Sequence, residues 1–210
     1  MRSPIRRQEQ DENSRPALLA AARAAFSDRG LEGARVDDIA QRAGVNKQLV
    51  YHYFGSKDGL YTAVLEQVYQ EIRDQERALE LDALPPEEAM RELIGFSFDY
   101  LAKSPDFVRI LADENAHRGQ HLQGSEVVKN VNRPIIELIR TTLTRGAKAG
   151  VFRASLDPLH VYLSIAGISF FYFANLYTLS RAFDSDLGSP QGIAERRAEI
   201  IDFVLRALKS

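Results

Sequence analysis

Apolar residues recur along this chain at intervals of three and four, and nowhere alternate with period two for long enough to build a strand. Leu18, Leu19, Ala22 and Phe26 share one face of a helix expected over residues 17–29, which Gly30 ends. Ser14 followed by Pro16 suits the start of that helix, because proline is tolerated in a first turn. Beyond a turn at 31–34, Ile39 and Ala40 mark the inner face of a short helix over 36–42. Gly44 breaks the chain again, and Asn46 is a good N-cap for a helix over 47–54. Ser56 caps a longer helix in which Leu60, Val64, Val68 and Ile72 recur at helical spacing.

The second half continues in the same period. Pro85-Pro86 marks a corner, and Glu87-Glu88 suit the first turn of the next helix through its dipole. Apolar periodicity covers 90–101, breaks at Ser104-Pro105 and resumes over 107–121, with Gly119 and Gly124 making a bend. A helix follows over 127–148, kinked or restarted at Pro134 and ended by Gly150. Asp157-Pro158 opens an apolar helix to about residue 182, and 193–208 reads as a last amphipathic helix. The expected fold is all-α, with about nine helices and no internal repeat.

Composition narrows the function. The 210 residues are 45% hydrophobic and 27% charged, an ordinary globular balance that can bury a substantial core. With no cysteine, disulfides, thiolate metal sites and cysteine nucleophiles are excluded. The polar opening has no apolar run of the signal-peptide kind, and the apolar stretch at 161–179 carries Tyr162, Ser164, Ser169, Tyr172 and Asn175. A buried helix, and a soluble cytoplasmic protein with no membrane partner, is the expectation. The net charge of −2 argues against a general nucleic-acid binder, but residues 1–60 hold ten Lys/Arg against eight Asp/Glu. The remainder is acidic, so any DNA contact belongs to the N-terminal end.

That end carries the informative pattern. Two short helices joined at Ala43-Gly44-Val45 make a helix-turn-helix, whose second helix can lie in a major groove. Ile39, Ala40, Val45 and Val50 would pack the pair, leaving Lys47, Gln48, Tyr51 and His52 facing outward. Gln48 can pair with an adenine edge, and Lys47 can reach guanine or phosphate. Tyr51, His52 and Tyr53 can donate to phosphate oxygens, and Lys57 adds charge at a helix N-terminus.

The run Val36-Asp37-Asp38-Ile39-Ala40-Gln41-Arg42-Ala43-Gly44-Val45-Asn46, then Leu49-Val50-Tyr51-His52-Tyr53-Phe54-Gly55-Ser56-Lys57-Asp58-Gly59-Leu60, resembles the DNA-binding signature of the TetR family. The upstream Ala21-Ala22…Phe26…Gly30 spacing agrees, so the resemblance covers about 45 residues. It implies a transcriptional repressor that reads a palindromic double-stranded operator as a homodimer; an enzyme is not expected, since the sequence has no Ser-His-acid motif, no phosphate-cradling glycine loop and no thiol. Release would follow when a small hydrophobic or aromatic effector binds the larger C-terminal domain. Carried over by position, the DNA-binding candidates are Arg35, Asn46, Lys47, Gln48, Tyr51, His52, Tyr53 and Lys57. Three positions depart from the pattern. Arg35 replaces a capping Thr, Asp37 sits where a base is common, and Gln48 replaces a small residue, which points to a distinct operator.

The implied organisation is a flexible arm over 1–13, a DNA-binding domain over 14–60, and an effector-binding and dimerisation domain over 61–210. Arg2, Arg6 and Arg7 would let the arm enter a minor groove. A cavity between bundle helices would use aromatic and polar residues, with Phe96, Tyr100, Phe107, Glu114, Asn115, His117, His121, Tyr172 and Asn175 as candidates. Glu114, His117 and His121, at i, i+3 and i+7, would share one helical face; the expectation is neither a metal nor any other cofactor. Ile193, Ile200, Ile201, Val204 and Leu208 form an apolar stripe expected to pair with a second copy.

Overall fold

The computed structural model describes residues 4–209, with side chains from Asn13 onward. Ten α-helices and one 3-10 turn, with no strand, make up these described residues. The first helix, α1, runs Pro4–Gly33, so residues 4–13 are helix and not an arm. That stretch holds no glycine, and its Arg, Gln and Glu residues are good helix formers. Pro16 lies inside the helix, not at its start. Arg2 and the side chains of Arg6 and Arg7 fall outside the described residues.

The chain divides into two compact units, one up to Val68 together with Arg109–Glu126, the other of Tyr69–Val108 and Val127–Ser210. The first compact unit thus extends past residue 60, and a segment from the middle of the chain folds with the N-terminal helices. In this first unit α1 packs on α2 (Val36–Arg42) and α3 (Gln48–Phe54), which are followed by α4 (Lys57–Arg77). Leu18, Ala22, Phe26, Ile39, Val50, Leu60 and Tyr61 are its buried core, with Phe26 and Tyr61 meeting edge to face. Gly30 breaks α1 with φ 66°, a conformation open to glycine. A Cβ there would also sit 2.6 Å from Asp113 Oδ1.

The second unit is built around α5 (Pro86–Lys103), which packs on α8 (Pro158–Ala174) and α10 (Pro190–Leu208). Helix α6 (Pro105–Ala116) begins in this unit, and α7 (Glu126–Lys148) continues through Pro134 without restarting. Met90, Ile94 and Phe98 meet Ile139, Ile165, Ile200 and Val204 in the core. Gly146 of α7 lets the Phe152 ring close on the helix, since a Cβ there would lie 2.0 Å from the ring. The helix expected to reach residue 182 breaks at Asn175, and α9 (Leu176–Ala182) leaves α8 at 69°. The Asn175 amide donates to the Phe171 carbonyl at 2.9 Å, one of the local side-chain bonds that compete with a helix ladder. No single helix among the described residues is long and apolar enough to cross a membrane.

Candidate DNA interface and effector residues

Helix α3 is seated by Val50, which is fully buried, while its other face stays open. Gln48, Tyr51 and His52 are exposed on that open face, and Lys47 and Asn46 precede it. The Asn46 Oδ1 accepts the Gln48 N–H at 2.9 Å, so this side chain caps the helix as expected. Gln48 keeps its side-chain amide for other partners. Tyr53 is half-buried against its neighbours, its ring 5.1 Å from His52 and 6.1 Å from Phe54.

Two candidates have internal partners that the sequence did not disclose. Lys47 Nζ pairs with Asp37 Oδ1 at 3.1 Å, and the bond to Asp37 holds the ammonium pKa above its usual value. Asp37, an anomaly in the sequence pattern, thus tethers and partly neutralises a base-reading candidate. Lys57 Nζ donates to the carbonyls of Leu31 at 2.8 Å and Ala34 at 3.3 Å, which spends two of its three N–H donors on the turn before α2. Arg35 is exposed at the start of α2 and makes no side-chain cap, while Arg29 and Asp38 pair close by at 2.8 Å.

The unit is also tied to α6, through a residue that no sequence signal marked. Asp113 Oδ2 accepts the Leu31 N–H at 2.9 Å and the Tyr61 hydroxyl at 2.8 Å. Burial, first, and the neighbouring Asp113 push the Tyr61 pKa up, so the phenol stays protonated and donates.

The nine effector candidates are divided between the two units. Glu114, Asn115, His117 and His121 belong to the first unit; Phe96, Tyr100, Phe107, Tyr172 and Asn175 belong to the second. Helix α6 ends at Ala116, and Arg118 and Gly119 are both left-handed, so Glu114, His117 and His121 do not share a helical face. Instead Glu114 folds back on His121, Oε1 accepting its backbone N–H at 2.8 Å and Oε2 lying 2.7 Å from Nδ1. His117 turns to the Asp113 carbonyl at 2.8 Å, a bond that raises its pKa. Asn115 is exposed and bonds to Leu111 of its own helix. Phe96, Tyr100 and Phe107 form an aromatic row, with centroids 5.9 and 5.4 Å apart. Tyr172 lies apart from that row, against Phe98, and donates to the Leu187 carbonyl at 2.6 Å. Asn175 is spent on the helix break.

The expected dimer stripe is contradicted more directly. Ile200, Ile201, Val204 and Leu208 are all buried within their own unit, and Ile193 packs against the same core. Helix α10 turns its stripe inward, chiefly against α5 and to a lesser extent against α8. Among the apolar residues left in solvent, Leu159, Leu163 and Phe171 lie on α8 and Phe203 on α10, each at least half exposed, with Tyr177 and Phe183 exposed further along the chain.

A three-helix unit that presents a polar second helix over a packed scaffold defines a helix-turn-helix DNA-binding regulator. Comparison with known proteins makes the class specific. Residues 18–64 match the family described as bacterial regulatory proteins, tetR family, and residues 86–204 match the tetracyclin repressor-like C-terminal domain. The chain belongs to the TetR family of transcriptional regulators. It is 37% identical over 203 residues to the HTH-type transcriptional repressor NicS of Pseudomonas putida, covering 97% of this chain and 96% of that one. It is 32% identical over 150 residues to the regulator RutR of Escherichia coli K12, covering 71% and 68% of the two chains. Among solved structures, the Streptomyces coelicolor regulator SCO4942 superposes with a TM-score of 0.68 at 26% identity, over 93% of this chain and 98% of that one. The ketosteroid regulator KstR2 of Mycobacterium tuberculosis has the same fold, with a TM-score of 0.66 at 24% identity, covering 93% and 95%. These relatives are regulators, not enzymes.

Proposed function

We propose that this protein is a cytoplasmic repressor that binds a palindromic operator as a homodimer and leaves it when a small effector binds the second unit. The observation that carries the reading is the open face of α3, where Gln48, Tyr51 and His52 stand exposed beside Lys47 on a helix anchored by Val50. Lys47 and Gln48 read base edges, Tyr51 reaches a base or phosphate, and Arg35, His52, Tyr53 and the remaining Lys57 donor hold phosphates. Asn46 sets the start of the reading helix. The near full-length match to a protein named as a repressor supports the direction of control.

The second copy docks on the exposed apolar face of α8 and α10. Leu159, Leu163, Gly167 and Phe171 follow one another at i+4, and a Cβ on Gly167 would meet nothing within 4 Å, so the ridge is open along its length. Phe203 extends it onto α10. Substituting Leu163→Asp is expected to leave the fold intact and give a monomer in sedimentation, with weakened operator binding. A wild-type monomer at micromolar concentration removes the dimer from the reading.

The function itself is tested by fluorescence anisotropy against DNA flanking the coding locus, at two salt concentrations. One palindrome bound about 100-fold or more above random DNA, and weakened by salt, supports it. Binding indifferent to sequence in protein refolded free of ligand overturns it.

A further inference from the structure

Within the second unit, a cavity of about 190 Å³ lies between the end of α4 and the middle of α7. Leu81, Val131, Pro134, Ile135 and Leu138 give it an apolar wall, Arg73 and Glu76 bring buried charge to it, and Arg77, Glu80 and Asp82 stand exposed at its edge. Both charged side chains are 4% exposed, with Arg73 Nη1 2.7 Å from Glu76 Oε2. The guanidinium is otherwise poorly served. Its Nη2 donates to the Tyr162 hydroxyl at 3.2 Å and its carbon lies 5.5 Å from that ring's centroid, but Nε and Nη1 make no well-directed hydrogen bond.

We propose that this cavity binds a small carboxylate with an apolar body, its anion held by Arg73 in place of Glu76. A guanidinium keeps its charge at any ordinary pH and presents paired N–H groups that fit a carboxylate, whereas a glutamate can discharge by taking a proton. Arg77, Glu80 and Asp82 are exposed at the edge of the cavity, where water screens them, so the lasting charge in its buried part is positive. Burial pushes the Glu76 carboxyl up to about 7, with Arg73 pulling the other way, so at neutral pH the resident counter-ion is only part-charged. An incoming carboxylate displaces it, and Glu76 takes a proton from solvent. The volume is below the ~300 Å³ lower end of sites for drug-sized ligands, which points to an acid of one ring or a short chain. None of the nine residues singled out in the sequence lines this cavity. As the effector site it deepens the proposed function and rests on it; as a binding site it stands apart from DNA.

The test is calorimetry on the full chain with benzoate, hexanoate, uncharged benzamide and cationic benzamidine. At least one of the two acids is expected to bind at least about tenfold more tightly than benzamide. Glu76→Gln, which removes the competing carboxylate and keeps the shape, is expected to tighten that acid by a similar factor. Arg73→Met abolishes acid binding. Failure of both acids to bind wild type and E76Q overturns the proposal, as does benzamide binding as well as the acids. Benzamidine binding that is lost in E76Q makes the site a cation site and also overturns it. Acid binding that leaves the operator complex untouched keeps the site and removes its regulatory role. Operator release by benzoate that survives in R73M keeps the effector reading and overturns this site.

Discussion

Truncating Asp113 to alanine should loosen the DNA-reading unit, because one carboxylate oxygen serves two buried donors. Leu31 is 2% exposed and Tyr61 fully buried, so neither the Leu31 N–H nor the phenol can turn to water when Oδ2 is removed. Each buried group left without a partner costs about 1–3 kcal/mol. The phenol has a fallback, since the Ile110 carbonyl lies 3.3 Å away, and this places its loss at the low end of that range. The amide has none among its described bonds. Asp113 itself is half-buried and contributes little apolar area, so the expected total is about 2–4 kcal/mol. Tyr61→Phe removes a donor and orphans nothing on the amide side, so it should cost about 1 kcal/mol. Urea unfolding followed by circular dichroism measures both, and amide exchange at Leu31 localises the effect: it should quicken in D113A and not in Y61F. A D113A loss below about 0.5 kcal/mol, or unchanged Leu31 exchange, would refute the reasoning.

Three further perturbations follow from the same geometry. Asp37→Asn frees Lys47 from its 3.1 Å pair and should tighten DNA binding about three- to tenfold at low salt, with a steeper salt dependence; unchanged affinity by anisotropy would mean that Lys47 does not meet DNA. The folded Glu76 carboxyl binds its proton more tightly than the ordinary value of 4.5, at about 7, so its contribution to stability is complete below 4.5 and is lost as pH rises through 7. Wild type should lose up to about 3 kcal/mol across that window relative to Glu76→Gln, and parallel pH profiles of melting temperature would contradict this. Gly146→Ala drives a methyl to within 2.0 Å of the Phe152 ring and should cost about 2–3 kcal/mol in chemical denaturation, with Phe152→Leu relieving part of it.

Local signals carried the DNA-reading end of the protein. Gly30, Gly44 and Asn46 act within a few residues of where they stand, and the period of Leu60, Val64 and Val68 reports its own helix, so turns, caps and helix type were legible along the chain. The exposed residues of α3 were legible for the same reason, since one buried Val50 settles which way a seven-residue helix faces. What required the tertiary structure was every choice among apolar faces and every partner distant in sequence. The α10 stripe looked like an interface because periodicity marks a face that must be buried without saying against what; in the fold, α5 with part of α8 takes that face into the unit's own core. Asp113 reaches Leu31 across 82 positions, and its role rests on a backbone N–H that no residue type announces. The Arg73–Glu76 pair reads as an ordinary i, i+3 surface pair, and only tertiary packing, with α7 lining the cavity and Tyr162 of α8 against Arg73, turns two solvated charges into a buried site. A side chain's local geometry is written in its neighbours along the chain, but its dielectric and its partners are set by whatever folds on top of it.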